Sequence, residues 1–179
     1  KVYGDAYRQV LKAKSPFDVT MKRAGSFSTG DITVNKILIS RTGQRDWIPA
    51  LMFESENGSS TGTVLVSDQG KSAFWDSGRA EPAALVKQLV NNGHAVLAID
   101  PFGIGEHVLQ DGTETQRDEG FTHFTTFNLT DTQERVQDIL TSGTFLAGYV
   151  KAQKVHLVGQ DNAGVWSILA AGLENRFEN

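Results

Sequence analysis

Val155-His156-Leu157-Val158-Gly159-Gln160-Asp161-Asn162-Ala163-Gly164 is the stretch that decides the fold of this chain. Val155 to Val158 is a short apolar run of strand character, Val165 to Leu173 reads as a helix, and small residues at Gly159, Ala163 and Gly164 separate them. A strand that passes into a helix through so tight a turn pushes the central side chain of the turn off the end of the sheet. Close packing around that turn demands small flanking residues. The residue so presented is Asp161.

The same alternation runs upstream. Glu81 to Asn91 places Leu85, Leu89 and Val90 on one helical face, and Asn92-Gly93 supplies a C-terminal cap. Ala95 to Ile99 and Thr63 to Val66 are apolar enough for strands covered on both faces. A helix from about Thr130 to Val150 carries Val136, Ile139, Leu140 and Leu146 as a stripe, and a long loop over Pro101 to Thr126 leads into it. Earlier still, Ile32, Val34, Ile37 and Ile39 alternate with polar residues and face Trp47 to Phe53 across a turn at Thr42 to Arg45, which reads as a hairpin. Residues 1–31 are polar and broken by Pro16, Gly25 and Gly30, with a short helix over Asp5 to Ala13. They read as an N-terminal arm on a domain of residues 32–179. The expected architecture is α/β: a three-layer, doubly wound, mainly parallel sheet with an N-terminal antiparallel hairpin.

Bulk properties narrow the function classes. With 179 residues, 39% hydrophobic and 21% charged, the chain has an ordinary globular composition. A net charge of −4 without a basic block argues against a nucleic-acid surface, and the apolar runs are too short to span a bilayer. The absence of cysteine removes disulfides, thiolate nucleophiles and cysteine metal sites together. His94, His107, His123 and His156 lack the spacing of a metal site. Gly103 and Gly105 lie in a G-x-G-E turn with no third glycine and no immediate helix, which argues against a Rossmann dinucleotide site. No cofactor is expected, and the compartment is open.

Three segments together resemble the α/β-hydrolase superfamily, in particular its acetylxylan-esterase-like and dienelactone-hydrolase-like branches. They are Asp100-Pro101-Phe102-Gly103-Ile104-Gly105-Glu106, Asn128-Leu129-Thr130-Asp131 leading to Arg135-Val136-Gln137-Asp138-Ile139-Leu140, and the turn around Asp161. The resemblance covers roughly Ile32 onward and places Asp161 at the nucleophile position. It implies an oxyanion hole built from Asn162 and from Gln69 or Gly70, in the loop after the central strand. It also implies that the catalytic acid and histidine come later than Asn179, so that the chain is the portion of a hydrolase up to its nucleophile elbow.

An aspartate at this position attacks sp³ carbon in the haloalkane dehalogenase and epoxide hydrolase relatives, but those commonly follow it with Trp where this chain has Asn162. Against an ordinary ester a carboxylate is a poor nucleophile, because the mixed anhydride it forms lies uphill. Glu106, His107 and His123 in the long loop and Trp75 in the polar segment Ser72 to Gly78 are the candidate substrate contacts, since loops at the carboxyl ends of parallel strands form the binding crevice. Two functions follow. One is an esterase-like hydrolase acting on small-molecule or carbohydrate O-acyl esters. The other is a hydrolase-derived module without catalysis, serving binding or assembly. In either case the strand Val155 to Val158 lies at an edge, and a C-terminal portion, a second chain or a second copy is expected to cover it.

Overall fold

The computed structural model describes residues 4–108, 117, 120, 122–151 and 154–178. Five helices are assigned among them: α1 (Gly4–Leu11), α2 (Ala84–Asn91), α3 (Phe124–Phe127), α4 (Asp131–Tyr149) and α5 (Ala163–Leu173). The strands are β1 (Val19–Thr29), β2 (Ile32–Arg41), β3 (Ile48–Ser55), β4 (Thr61–Ser67), β5 (Trp75–Asp76), β6 (Glu81–Pro82), β7 (His94–Ile99), β8 (Val155–Gln160) and β9 (Phe177–Glu178). Seven strands form the central sheet in the order β1-β2-β3-β7-β4-β8-β9. β1, β2, β3 and β7 pair antiparallel in turn, and β7, β4, β8 and β9 run parallel. This is the mainly parallel α/β sheet with an N-terminal antiparallel hairpin that the pattern of runs predicts.

The period-two alternation sends the side chains of each strand to two cores. On one face Ile37, Ile39, Ala50, Met52, Val64, Val66, Leu97 and Ile99 pack against α4 and α5, where Val136, Ile139, Leu140, Leu146 and Ala170 are buried. On the other, Val34, Leu51, Phe53, Leu65, Val96 and Ala98 pack against Val86 and Val90 of α2 and against Phe74. The stripe expected on α4 is the buried one, and its N-terminus is fixed by a capping box: Thr130 Oγ1 accepts from the Gln133 backbone while the Gln133 side chain accepts from the Thr130 backbone.

Three details depart from the sequence reading. The segment read as an arm contains β1, an 11-residue strand that is mostly exposed on both faces, so no apolar alternation marks it. Its ladder with β2 supplies the order that its side chains do not. The helix expected from Glu81 begins at Ala84, because Glu81 and Pro82 pair with Trp75 and Asp76. Within α2 the buried residues are Val86 and Val90, with Leu89 partly buried, whereas Leu85 is 41% exposed. A spacing of four fits one helical stripe, and Leu85 lies outside it. Residues 109–116, 118, 119 and 121 of the long loop lie outside the described residues.

Candidate active site

The elbow has the geometry its sequence demands. Asp161 stands between β8 and α5 at φ 56°, a left-handed conformation that side chains rarely adopt, and it is exposed. Gly159 is required for close approach: a Cβ there would meet the Ser167 side chain at 2.4 Å, the Ala163 carbonyl at 2.7 Å and the Gly164 Cα at 2.8 Å. Ala163 is fully buried behind the turn. The amides of Gly164 and Val165 donate to the carbonyls of Asp161 and Asn162, starting α5 directly after the elbow.

The turn after β4 lies alongside, because Ser67 pairs with Gln160 in the parallel ladder. Asn162 Nδ2 donates to Asp68 Oδ2 at 2.8 Å, tying the two turns together. The structure thus brings Asp161, Asn162, Gln69 and Gly70 to one end of the sheet. The Gln69 amide donates to Ser67 Oγ at 3.1 Å, so it is engaged within its own turn. Gly70 is buried at φ 70° and packs on Asp100, whose Oδ1 would lie 2.4 Å from a Cβ at that position.

Asp100, the residue that opens the D-x-x-G-x-G stretch, organises a second cluster. Only 1% exposed, its carboxylate accepts from the Lys71 amide at 2.7 Å, from the Glu106 amide at 2.9 Å and from Lys71 Nζ. Lys71 Nζ also pairs with Glu106 Oε1 at 2.8 Å. Gly105, at φ 61°, packs directly on this carboxylate: a Cβ there would lie 2.2–2.4 Å from its atoms. Gly70, Gly105 and the lysine after β4 are therefore explained by one buried acid.

The R-V-Q-D-I-L stretch holds the same loop from behind. Arg135 Nε donates to the Phe102 carbonyl at 3.0 Å, and Asp138 Oδ2 accepts from the Phe102 amide at 2.8 Å. The Arg135 guanidinium also lies 4.6 Å from the ring centre of Trp166. Gln137 clamps Lys14 in the same two-sided way, accepting from its amide and donating to its carbonyl. Burial pushes the Asp138 carboxyl up to about 8, against the opposing effect of the Phe102 amide. His107 is held below its ordinary value by burial, which outweighs Asp100 and Glu106. Its Nε2 has no hydrogen-bond partner among the described residues, and its ring lies 6.2 Å from that of Phe102.

The predicted substrate contacts divide. Glu106 and Trp75 line one cavity of about 510 Å³ together with Lys71 and Asp100. His107 lies in the same loop but does not line that cavity. His123 is exposed, at φ 67° immediately before α3, and does not line that cavity. Lys71, Asp100 and Asp138 escaped as organisers of the site. The available signal was an acid within the apolar stripe of α4 and an acid ending an apolar strand. Among the described residues, no group of three or more histidine or acidic side chains is placed to hold a metal ion, and no helix is long and apolar enough to cross a membrane.

Solved structures with this arrangement include esterases. A Bacteroides fragilis NCTC 9343 protein assigned as an acetyl xylan esterase superposes with a TM-score of 0.71 at 10% identity, covering 98% of this chain and 50% of that one. The chain has the α/β-hydrolase fold. Acetyl xylan esterase 1 from Thermoanaerobacterium sp. JW/SL YS485 gives a TM-score of 0.65 at 18% identity, with 98% and 56% covered. A promiscuous CE15 esterase from a marine bacterial metagenome gives 0.59 at 12%, with 97% and 55% covered. This hydrolase-fold chain thus spans about half the length of the structures it resembles. No protein-family model and no curated protein matches it.

Proposed function

We propose that this chain carries the nucleophile-elbow portion of an esterase-type α/β-hydrolase, with carbohydrate O-acyl or related carboxylic esters as substrates. The observation that carries the reading is Asp161 itself, exposed at φ 56° on a turn that leaves no room for a Cβ at Gly159. A left-handed non-glycine residue at the carboxyl end of a central strand is a strained position, and such strain concentrates at functional sites. The acid and histidine that complete such a machine are proposed to come from beyond these residues. Three exposed apolar side chains beside the β8 edge, Val158, Val165 and Ile168, support that view, since β9 pairs only with Val155 and His156.

The test is hydrolysis of p-nitrophenyl acetate and acetylated xylo-oligosaccharides by the wild-type protein together with the proposed acid and histidine, and by the same protein with Asp161→Asn. The expected result is turnover by the wild type and a loss of at least about 100-fold in the variant, with an unchanged circular dichroism spectrum. Equal turnover removes Asp161 from the mechanism.

A second reading, a non-catalytic module, is favoured by the chemistry of the carboxylate. Its attack on an ester carbonyl yields a mixed anhydride, which lies uphill. Under that reading neither ester is hydrolysed, and saccharide binding, measured by calorimetry, survives Asp161→Asn.

A further inference from the structure

The cavity of about 510 Å³ lies against β1, β2 and β3, and β3 is three places along the sheet from β8. Its other wall is Lys71 and Ser72, in the turn after β4, and Asp161 is not among its lining residues. Its size falls within the range of small-molecule sites, roughly 300–1,000 Å³. The walls are apolar: Phe27, Leu38, Pro49, Leu51 and Trp75. Phe27 and Trp75 meet edge to face, with centroids 5.5 Å apart and planes at 85°, which leaves a corner suited to a flat ring.

The charges are asymmetric. At one end Lys71 is neutralised by Asp100 and Glu106. At the other, Lys36 belongs to none of the ion pairs found among the described residues. Lys36 faces Gly25 in the β1–β2 register, and its Cδ lies 4.0 Å from where a Cβ of Gly25 would stand. With no side chain in the way, the lysine stem crosses β1 and brings Nζ to 5.8 Å from the Phe27 ring centre. A ligand's negative group is therefore attracted to the Lys36 end and repelled by the two carboxylates at the other.

We propose that this cavity binds a small aromatic monocarboxylate, its ring between Phe27, Leu51 and Trp75 and its carboxylate beside Lys36. Asp161 does not line the site, and binding there does not depend on the esterase reading. The probe is trans-cinnamate, titrated into the full chain and followed by tryptophan emission and by calorimetry, with cinnamamide and acetate as partial probes. Cinnamate is expected to give saturable heat and to quench emission, with an affinity about two- to five-fold above that of cinnamamide, as an exposed ion pair supplies. Acetate, lacking the ring, gives no saturable heat. Lys36→Gln, a change at an exposed side chain, brings cinnamate to the cinnamamide affinity and leaves cinnamamide unchanged. Trp75→Phe keeps the heat and removes the quenching, since Trp47 and Trp166 lie outside the cavity. No saturable heat with cinnamate, equal affinities for cinnamate and cinnamamide, or quenching that persists in Trp75→Phe each overturns the proposal.

Discussion

Replacing Asp138 by Asn should make the protein less sensitive to alkali and, near neutral pH, more stable. An aspartyl carboxyl ordinarily ionises near 3.8, and burial behind the Phe102 loop pushes this one up to about 8. Between those values the folded protein holds a proton that the unfolded chain has released. Stability is therefore fully present below pH 3.8 and declines as pH rises, levelling above about 8. The decline is about 1.4 kcal/mol per pH unit, so that keeping Asp138 neutral at pH 7 costs roughly 4 kcal/mol. Asparagine retains an oxygen to accept from the Phe102 amide and has no proton to lose. Its buried amide group costs about 1–3 kcal/mol if unpaired. The variant should thus be slightly less stable than the wild type at pH 4 and more stable by about 3 kcal/mol at pH 8. Urea unfolding of both proteins from pH 4 to 9 measures this. The shifted histidines His94 and His107 titrate in both proteins and cancel in the difference. Parallel stability curves for the two proteins would refute the reasoning, since they would mean that Asp138 titrates alike in the folded and unfolded states.

Three further predictions rest on backbone geometry. Asp161→Gly relieves the φ of 56° and should stabilise the protein by about 0.5 kcal/mol while removing any turnover that the carboxylate supports; a lower melting temperature would contradict the strain argument. Gly105→Ala should cost about 2–4 kcal/mol in urea unfolding, because its Cβ displaces a carboxylate that Lys71 and two amides hold. Gly148→Ala in α4, with nothing within 4 Å of its Cβ, should instead gain about 0.5–1 kcal/mol; equal effects at the two glycines would refute the packing assignment.

What could be read in the sequence was set by which forces leave a local trace. The parallel strands are short apolar runs buried on both faces, and α4 carries both a capping box and a stripe, so each announces itself within its own residues. β1 leaves no such trace, because its order comes from a ladder with β2 and its side chains are largely in water. The candidate site divides on the same line. The elbow is legible because steric demand at Gly159, Ala163 and Gly164 falls on neighbouring residues. The Lys71–Asp100–Glu106 cluster joins residues 29 and 35 positions apart around a single carboxylate, and nothing local in the sequence pairs them. Trp75 and Glu106 were picked out by their loops alone. Their common cavity with Phe27 and Lys36 exists only because β1, without a sequence signature, adds an aromatic wall.

That division bears on how the elbow and the loop behind it work together. Asp161 is exposed and strained, and it is held by packing beneath it rather than by partners around it. The loop from Asp100 to Glu106 is the opposite: a buried acid, a partly buried lysine and two clamps from α4 fix its backbone. A rigid loop beside an exposed, strained carboxylate gives a site with one wall built and one face open. Under the proposed hydrolase reading, chemistry at Asp161 needs groups brought to the open face, and the exposed Val158, Val165 and Ile168 are the proposed seat of the apolar surface that carries them. The fixed loop meanwhile keeps the cavity at Trp75 in shape with or without that addition. Ligand binding there should consequently survive conditions that abolish turnover, which is the separation that the cinnamate titration and the Asp161→Asn assay together measure.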